Sequence, residues 1–204
     1  MKMTTLLAVL GALVLWVPVA SAAGTGWYVG GGVGESRFQG DEVDLEPTLA
    51  NETYILNNLD KSGKAWKLFA GKQFSRNWAV EAAYTYLGKY SYDATITSAG
   101  NADEYGEAKP DCWSLSGVGI LPLGDSFSLF GKIGVCRWDD HAYAEEAGVP
   151  YEANTTGNSA TYGIGAQYDF ANGLGIRGEW ERFDKVVHDR EGSDLISASL
   201  QYGF

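Results

Sequence analysis

Two short runs of the chain place histidine beside carboxylates, the residue types that general acid–base catalysis uses. Asp139 and Asp140 precede His141, and His188 precedes Asp189. A histidine paired with a carboxylate can transfer protons at neutral pH, so hydrolysis of a lipid or a peptide is one hypothesis. The spacing implies no nucleophile–base geometry, however. We therefore expect two solvated loop histidines, no catalytic residue, and no cofactor or metal site.

The two cysteines, Cys112 and Cys136, are too few for a disulfide scaffold and lack the spacing of a CxxC-type zinc site. Counting outward from a turn at Gly124-Asp125 brings them roughly opposite each other on two neighbouring predicted strands, with both side chains on the same face. A bond between them requires a Cα separation of about 4.4–6.8 Å. Because the chain has the features of an exported protein, we expect a cross-strand disulfide.

The features of export lie at the start of the chain. Lys2 gives a basic beginning, an apolar run extends from Leu6 to Val17, and Ala20-Ser21-Ala22 supplies small residues for cleavage. The alternative is a membrane-anchoring helix, but the run is shorter than the ~20 residues that cross a bilayer. We predict a signal peptide at residues 1–22 and a single mature domain at residues 23–204.

Composition limits the class of that domain. Glycine is abundant, with 27 residues, and aromatic residues make up 13% of the chain. Interior glycine weakens a helix by roughly 0.5–1 kcal/mol relative to alanine, whereas strands tolerate it at tight corners. The net charge of −11 argues against nucleic acid as a partner, because phosphate binding needs a basic surface.

Eight segments place apolar or aromatic side chains at every second position, the period of a β-strand. They are Gly26–Ser36, Lys64–Phe74, Trp78–Tyr92, Cys112–Leu123, Phe127–Trp138, Ser159–Phe170, Leu174–Asp184 and Asp194–Phe204. Three connections are tight turns, at 75–77, 124–126 and 171–173. Four are long and polar, at 37–63, 93–111, 139–158 and 185–193, and most of the acidic residues lie in them. An up-and-down meander puts the short turns at one end and the long loops at the other, as transmembrane barrels do.

Parity along each segment separates two faces. In the third, Val80, Ala82 and Tyr84 share one face, and Glu81 and Thr85 share the other. A soluble barrel would expose the second face, whereas a membrane barrel turns it inward and presents the apolar face to lipid. We predict an all-β fold, an eight-stranded antiparallel up-and-down transmembrane β-barrel. It must close, because an open edge in lipid leaves backbone groups unpaired, and its interior holds only side chains.

Aromatic residues on the apolar side should form girdles where the barrel meets the membrane surfaces, because amphipathic rings favour those interfaces. The candidates are Trp27, Trp66, Tyr84, Tyr86, Trp113 and Trp180.

The residues 27–34, 78–88 and 174–180 resemble the first, third and seventh strands of the OmpA-like family of small outer-membrane barrels. Tyr202 and the terminal Phe204 look like the signal that the barrel-assembly machinery reads in such proteins. The resemblance implies export through the periplasm to a bacterial outer membrane and contact with lipid and lipopolysaccharide. The peptidoglycan-binding domain of many relatives has no counterpart, so the resemblance implies no cell-wall tether.

The resemblance also implies a network of charges in the lumen. An inward acid on the third strand and an inward arginine on the seventh fall on Glu81 and Arg177, with Glu179 beside them; Lys132 is inward by parity. Where the family has an acid on the sixth strand this chain has Gln167, so the network must be rearranged. Charges in a narrow lumen must be paired, which favours a structural plug over a gated ion path.

The function that we expect is non-enzymatic. A rigid barrel presents long loops outside the cell, and surface loops on a scaffold are where binding usually resides, so an adhesin or ligand-binding role is the leading hypothesis. One alternative is an enzyme acting on lipid A or peptides. Omptin-like proteases use ten strands, however, and no serine motif resembles the lipid A deacylases or palmitoyltransferases. The other alternative is a small low-conductance channel.

Overall fold

A computed structural model describes five stretches of the chain, residues 25–39, 54–96, 102–146, 149–187 and 191–204. The predicted signal peptide at 1–22 lies outside them. The ten strands are β1 (Gly26–Phe38), β2 (Tyr54–Asp60), β3 (Ser62–Ser75), β4 (Trp78–Tyr86), β5 (Tyr90–Ile96), β6 (Ala102–Pro122), β7 (Phe127–Glu146), β8 (Val149–Asp169), β9 (Leu174–Val187) and β10 (Glu191–Gly203). Within these stretches the structure contains no helix with the length and apolar character that crossing a membrane would require.

Eight of the strands close into a ring, which confirms the predicted antiparallel β-barrel. The order around it is β6-β4-β3-β1-β10-β9-β8-β7, and β7 pairs again with β6. The first and last strands of the chain are neighbours, with a register that extends from Tyr28↔Gly203 to Phe38↔Ser193. Closure removes the sheet edges that would otherwise leave N–H and C=O groups unpaired in lipid.

The prediction of four long loops was wrong in part, because the segments 93–111 and 139–158 are largely β-strand. The pairing of β6 with β7 extends from Pro122↔Ser128 to Glu104↔Glu146, well beyond the barrel wall. β2 and β5 pair with each other and β5 with β6, so a sheet in the order β2-β5-β6-β7-β8 extends beyond the loop end. We call it the sheet extension. Aliphatic side chains are few in its β6, β7 and β8 segments, so the apolar alternation that marks a wall strand is missing there.

The predicted strand at 78–92 is interrupted. Tyr86 faces Asp111 and Tyr90 faces Ala108, so three residues on one side oppose two on the other. An extra residue of this kind is a bulge, and Gly88 adopts φ +92 there, a conformation that favours glycine. Because of the extra residue, positions after the bulge that would have pointed outward point inward instead. Tyr90 is therefore buried, and its hydroxyl donates to Ser36 Oγ at 2.7 Å.

The two faces of the barrel are inverted relative to a soluble protein. Val33, Ile133 and Ile196 are 69%, 71% and 66% exposed on the outside. Lys67 and Glu81, on the inside, are each 1% exposed. An apolar wall around a charged interior is the arrangement of a barrel that has lipid as its outer solvent.

Apolar side chains close the lumen above and below its charges. At the turn end Ala79, Val118 and Phe130 pack together, with Tyr28 beside them. At the loop end lies a second buried cluster, whose members are Ala65, Leu87, Cys112, Cys136, Trp138, Phe183 and Leu195. The charged groups are therefore sealed between two apolar layers.

Candidate functional site

Four strands bring six charged side chains together in the middle of the lumen. β3 contributes Lys67, β4 Glu81, β7 Lys132, and β9 three residues at alternate positions. The three on β9 are Arg177, Glu179 and Glu181. All six are buried. Three cations face three carboxylates, so this luminal network is neutral when every member is ionised, which is the condition that burial of charge demands.

One half of the luminal network is built around two lysines. Lys132 Nζ lies 2.5 Å from Glu179 Oε1 and 2.7 Å from Glu181 Oε2. Lys67 Nζ donates to Glu179 Oε2 at 2.8 Å and to Glu181 Oε2 at 3.1 Å. Thr161 Oγ1 donates to the remaining oxygen of Glu181 at 3.1 Å. Lys132 Nζ also lies 3.8 Å from Glu81 Oε1. Each ammonium is thus shared among two or three carboxylates, and loss of one member leaves charge that is not compensated.

The other half is built around the single arginine. Arg177 Nη1 donates to Glu81 Oε2 at 2.7 Å, and the Tyr28 hydroxyl donates to the same oxygen at 3.0 Å. The guanidinium carbon lies 3.9 Å from the centroid of the Phe130 ring. Contact with the face of an aromatic ring stabilises a guanidinium, so the turn-end apolar layer also supports the charge.

The four residues expected in the lumen all lie in this network, but sequence reasoning missed Lys67, Glu181 and Tyr28. The signal was present in the parity. Lys67 shares its face with Ala65 and Phe69, and Glu181 follows Glu179 by two positions. Gln167 lies outside the network and donates to Asp169.

Cys112 and Cys136 form a disulfide, with 5.9 Å between their Cα atoms. The strand register pairs Cys112 with Trp138 and Cys136 with Ser114. The cysteines are therefore diagonal neighbours, two positions apart, which agrees with the expectation that they lie roughly opposite each other. The bond lies in the loop-end apolar layer and ties β6 to β7 there.

Gly157, on the neighbouring strand β8, leaves room for the indole ring of Trp138 in the loop-end apolar layer. Gly157 faces Trp138 across β7 and β8, and a Cβ atom at Gly157 would overlap the indole ring. The Trp138 side chain is 1% exposed. The fit of this ring over bare backbone closes the lumen at the loop end.

The aromatic residues expected in girdles lie on the outer wall in two groups. Near the loop end Trp66, Tyr84 and Trp113 form a row, with centroids 5.4 Å and 4.9 Å apart. Tyr86 and Trp180 belong to the same group, packed on Trp66 and Tyr162. Trp27 lies near the turn end, beside Phe204. Trp78, 66% exposed at the turn end, was missed among the girdle candidates.

His141 contacts an amide on the neighbouring strand. Its Nδ1 lies 2.8 Å from Asn154 Oδ1 on the outer side of the sheet extension, whereas the neighbouring Asp140 is buried on the opposite face. His188 lies outside the described residues. Across the described stretches no group of three or more His, Cys, Asp or Glu side chains could hold a metal ion.

The sequence of the chain matches a family model described as the outer membrane protein beta-barrel domain, over residues 5–204. The chain belongs to this outer-membrane β-barrel family. No curated protein sequence matches it. As a member of the family it is an integral protein of a bacterial outer membrane, and the inverted faces of the wall agree with that location.

Solved structures show the same fold at low sequence identity. Ail, the attachment invasion locus protein of Yersinia pestis, has a TM-score of 0.55 and 18% identity, over 88% of this chain and 99% of Ail. Another Ail structure, at 0.54 and 16%, is a complex with the heparin analogue sucrose octasulfate and covers 89% and 99%. Neisserial surface protein A gives 0.53 and 12%, over 87% and 97%. The N-terminal barrel of Pseudomonas aeruginosa OprF gives 0.53 and 9%, over 89% and 99%.

In this outer-membrane barrel the short turns mark the periplasmic end and the sheet extension the extracellular end, as in bacterial barrels generally. On the extension, Glu107 forms ion pairs with Lys89, at 2.8 Å, and with Lys109. Hydrogen bonds lower the pKa of Glu107 to about 2, and the bond from Lys109 contributes more than the bond from Lys89. The same contacts raise the pKa values of both lysines. The pair of Lys89 with Glu107 connects the residues between β4 and β5 to β6, whereas the pair of Lys109 with Glu107 lies within β6.

Proposed function

We propose that this outer-membrane barrel is a non-enzymatic surface-binding protein, whose sheet extension binds an extended segment of a partner outside the cell. The observation that carries the proposal is a free strand edge. Residues 149–160 of β8 pair with β7 on one side. Pairing with β9 begins only at Thr161↔Phe183, and within the described residues no strand pairs with that edge above it. An unpaired edge of this length is a template for addition of another strand.

The charge of the sheet extension favours a cationic partner. By sequence, residues 102–111 contain four acidic residues and one lysine, and residues 139–152 contain five acidic residues and no lysine or arginine. Electrostatic complementarity speeds encounter with a partner of opposite sign. Ail, which shares this fold, has been solved in complex with a heparin analogue. A sulfated saccharide suits the acidic surface of this chain poorly, so a basic polypeptide segment is the ligand that we propose.

The luminal network, in this proposal, is a structural plug. Full pairing of its charges and the apolar layers on both sides support a role in holding the wall rigid. The outer aromatic groups serve as interfacial girdles. Export through the periplasm, recognition of Tyr202 and Phe204 by the assembly machinery, and contact with lipopolysaccharide complete the proposal.

The experiment shortens one hairpin without changing the barrel. Asp140 and Thr155 are register partners, so replacing residues 141–154 with Asn-Gly gives a two-residue turn of a type that hairpins favour. Cells displaying the full protein should bind a basic extended peptide that cells displaying the shortened one do not. An acidic peptide of the same length is the control for charge. Equal binding by both proteins, with both folded, would sink the proposal.

A further inference from the structure

Two glycines lie side by side on the outer wall in the periplasmic half of the barrel. The register places Trp78 against Gly119, Gly119 against Gly131, and Gly131 against Ile164. Trp78 and Ile164 are exposed and point outward. The wall therefore lacks two adjacent side chains between two large apolar ones.

The backbone does not require glycine at these two positions. A Cβ atom at Gly119 would lie 3.7 Å from the Trp78 ring, and one at Gly131 would lie 3.8 Å from the Gly163 carbonyl oxygen, both ordinary contacts. By contrast, a Cβ atom at Gly163 would lie 2.6 Å from the Trp180 carbonyl oxygen. Gly163 is thus needed for close packing, whereas Gly119 and Gly131 leave open space outside the wall.

The open space is a groove of about 320 Å³. Its walls are Trp78, Leu121 and Leu129, and its floor is formed by the two glycines. The three walls are apolar and more than a third exposed. The groove is therefore a shallow apolar depression that opens to the hydrocarbon of the membrane.

The groove has one polar end. Asn77 lines it at the turn between β3 and β4, and the exposed Arg76 precedes Asn77 in the same turn. Within the described residues Arg76 forms no ion pair. Arg76 does not itself line the groove but is bonded to a residue that does. A cation at that end complements a ligand with a phosphate at one end and a hydrocarbon chain at the other.

We propose that this groove is a binding site for one glycerophospholipid of the periplasmic leaflet. One acyl chain lies over Gly119 and Gly131 against Trp78, and the phosphate lies at Arg76 and Asn77. A second copy of the chain fits less well, because a specific protein interface buries about 800 Å² on each partner, far more than a groove formed by a few side chains. The acyl chain packs closely against the backbone of the two glycines, which distinguishes this lipid from those that contact the rest of the wall.

The test fills the groove. Gly119→Leu and Gly131→Leu each place a branched chain in the open space, and Gly178→Leu is the matched control, because Gly178 also faces outward with nothing within 4 Å of its Cβ position. The full protein, purified in mild detergent, is incubated with phosphatidylglycerol and analysed by native mass spectrometry. The probe for headgroup binding alone is glycerophosphoglycerol, which has no acyl chains.

The wild type and Gly178→Leu should each retain one phosphatidylglycerol. Both groove variants should bind it about tenfold more weakly, as expected when the packing of a few methylene groups is removed. Arg76→Ala should retain less than the wild type, and glycerophosphoglycerol should not bind. Equal retention by all folded variants would overturn the proposal. So would binding of the chain-free headgroup, or a mass of two protein chains that the groove variants abolish.

Discussion

Lys132 and Glu179 form the shortest ion pair that we describe in the lumen, with Nζ 2.5 Å from Oε1, and neither has access to water. Lys132 lies on β7 and Glu179 on β9, so the pair connects the two strands that flank β8. It also makes each partner depend on the other for compensation of its charge.

Removal of one member should destabilise the barrel strongly. Lys132→Met should lower the free energy of unfolding by about 3–5 kcal/mol, because it leaves carboxylates buried without a counter-charge. Urea unfolding in lipid vesicles measures the change. The double variant Lys132→Met, Glu179→Gln should recover part of the loss, since it removes charge of both signs. Lys64→Met, on the exposed face of β3, is the control and should have little effect.

The sealed lumen should not conduct. Two apolar layers and a fully paired network leave no aqueous path through the described part of the barrel, so planar bilayers containing the protein should show no stable current steps. Glu181→Ala, which removes one carboxylate from the network, should produce more current noise than the wild type. Discrete, reproducible steps from the wild type would instead support the channel hypothesis.

The disulfide should stabilise the barrel against heat. Cys112 and Cys136 are 24 positions apart, and a closed loop of that length corresponds to about 3 kcal/mol in the chain-entropy treatment. Cys112→Ser with Cys136→Ser should therefore lower the melting temperature in detergent. Peptide mapping without reductant should find the two cysteines joined, and two free thiols would contradict the structure.

The ion pairs of the sheet extension should survive mild acid. The folded-state pKa of Glu107 is lowered to about 2, below its ordinary value near 4.3. A lowered carboxyl pKa contributes stability that is fully present above the unfolded-state value and is lost as the pH falls through the folded-state value. The carboxyl resonance of Glu107, followed by NMR in nanodiscs, should therefore titrate well below pH 4. In Lys109→Met its pKa should move upward.

His141 should be dispensable. Its ring contacts an amide and not a carboxylate, so His141→Ala with His188→Ala should leave folding and peptide binding unchanged. Assays of lipid A modification and of peptide hydrolysis should show the same background with the wild type and the variant. Activity that disappears with either histidine would favour the enzyme hypothesis.

The barrel wall could be predicted from the sequence because its strands obey a strict alternation. Val80 and Tyr84 against Glu81 and Thr85 define two faces without any tertiary information. The sheet extension could not be predicted in the same way. Its strands are held by backbone pairing between polar segments, as at His141↔Asn154, and side chains there do not report which face is buried.

Residue roles in the lumen were predictable only in part. Parity placed Glu81 and Arg177 inside. Which charged side chains form ion pairs depends on the stagger of the strands, which brings Lys67 to Glu179 across a sequence separation of 112. The bulge at 87–89 was not detectable, since one extra residue leaves composition unchanged while it exchanges the faces.

The sheet extension arises from one flank of the rim. β7 continues for eight residues past Trp138, to Glu146, whereas the described part of β10 meets β1 no higher than Phe38↔Ser193. Among the described residues the wall is therefore higher on the side of β6, β7 and β8 than on the side of β1 and β10. In the binding that we propose, a partner that approaches from the lower side reaches the edge of β8, whereas one that approaches from the other side meets a face of the sheet extension. The rotational orientation of the barrel in the membrane then determines which neighbouring molecules can reach that edge.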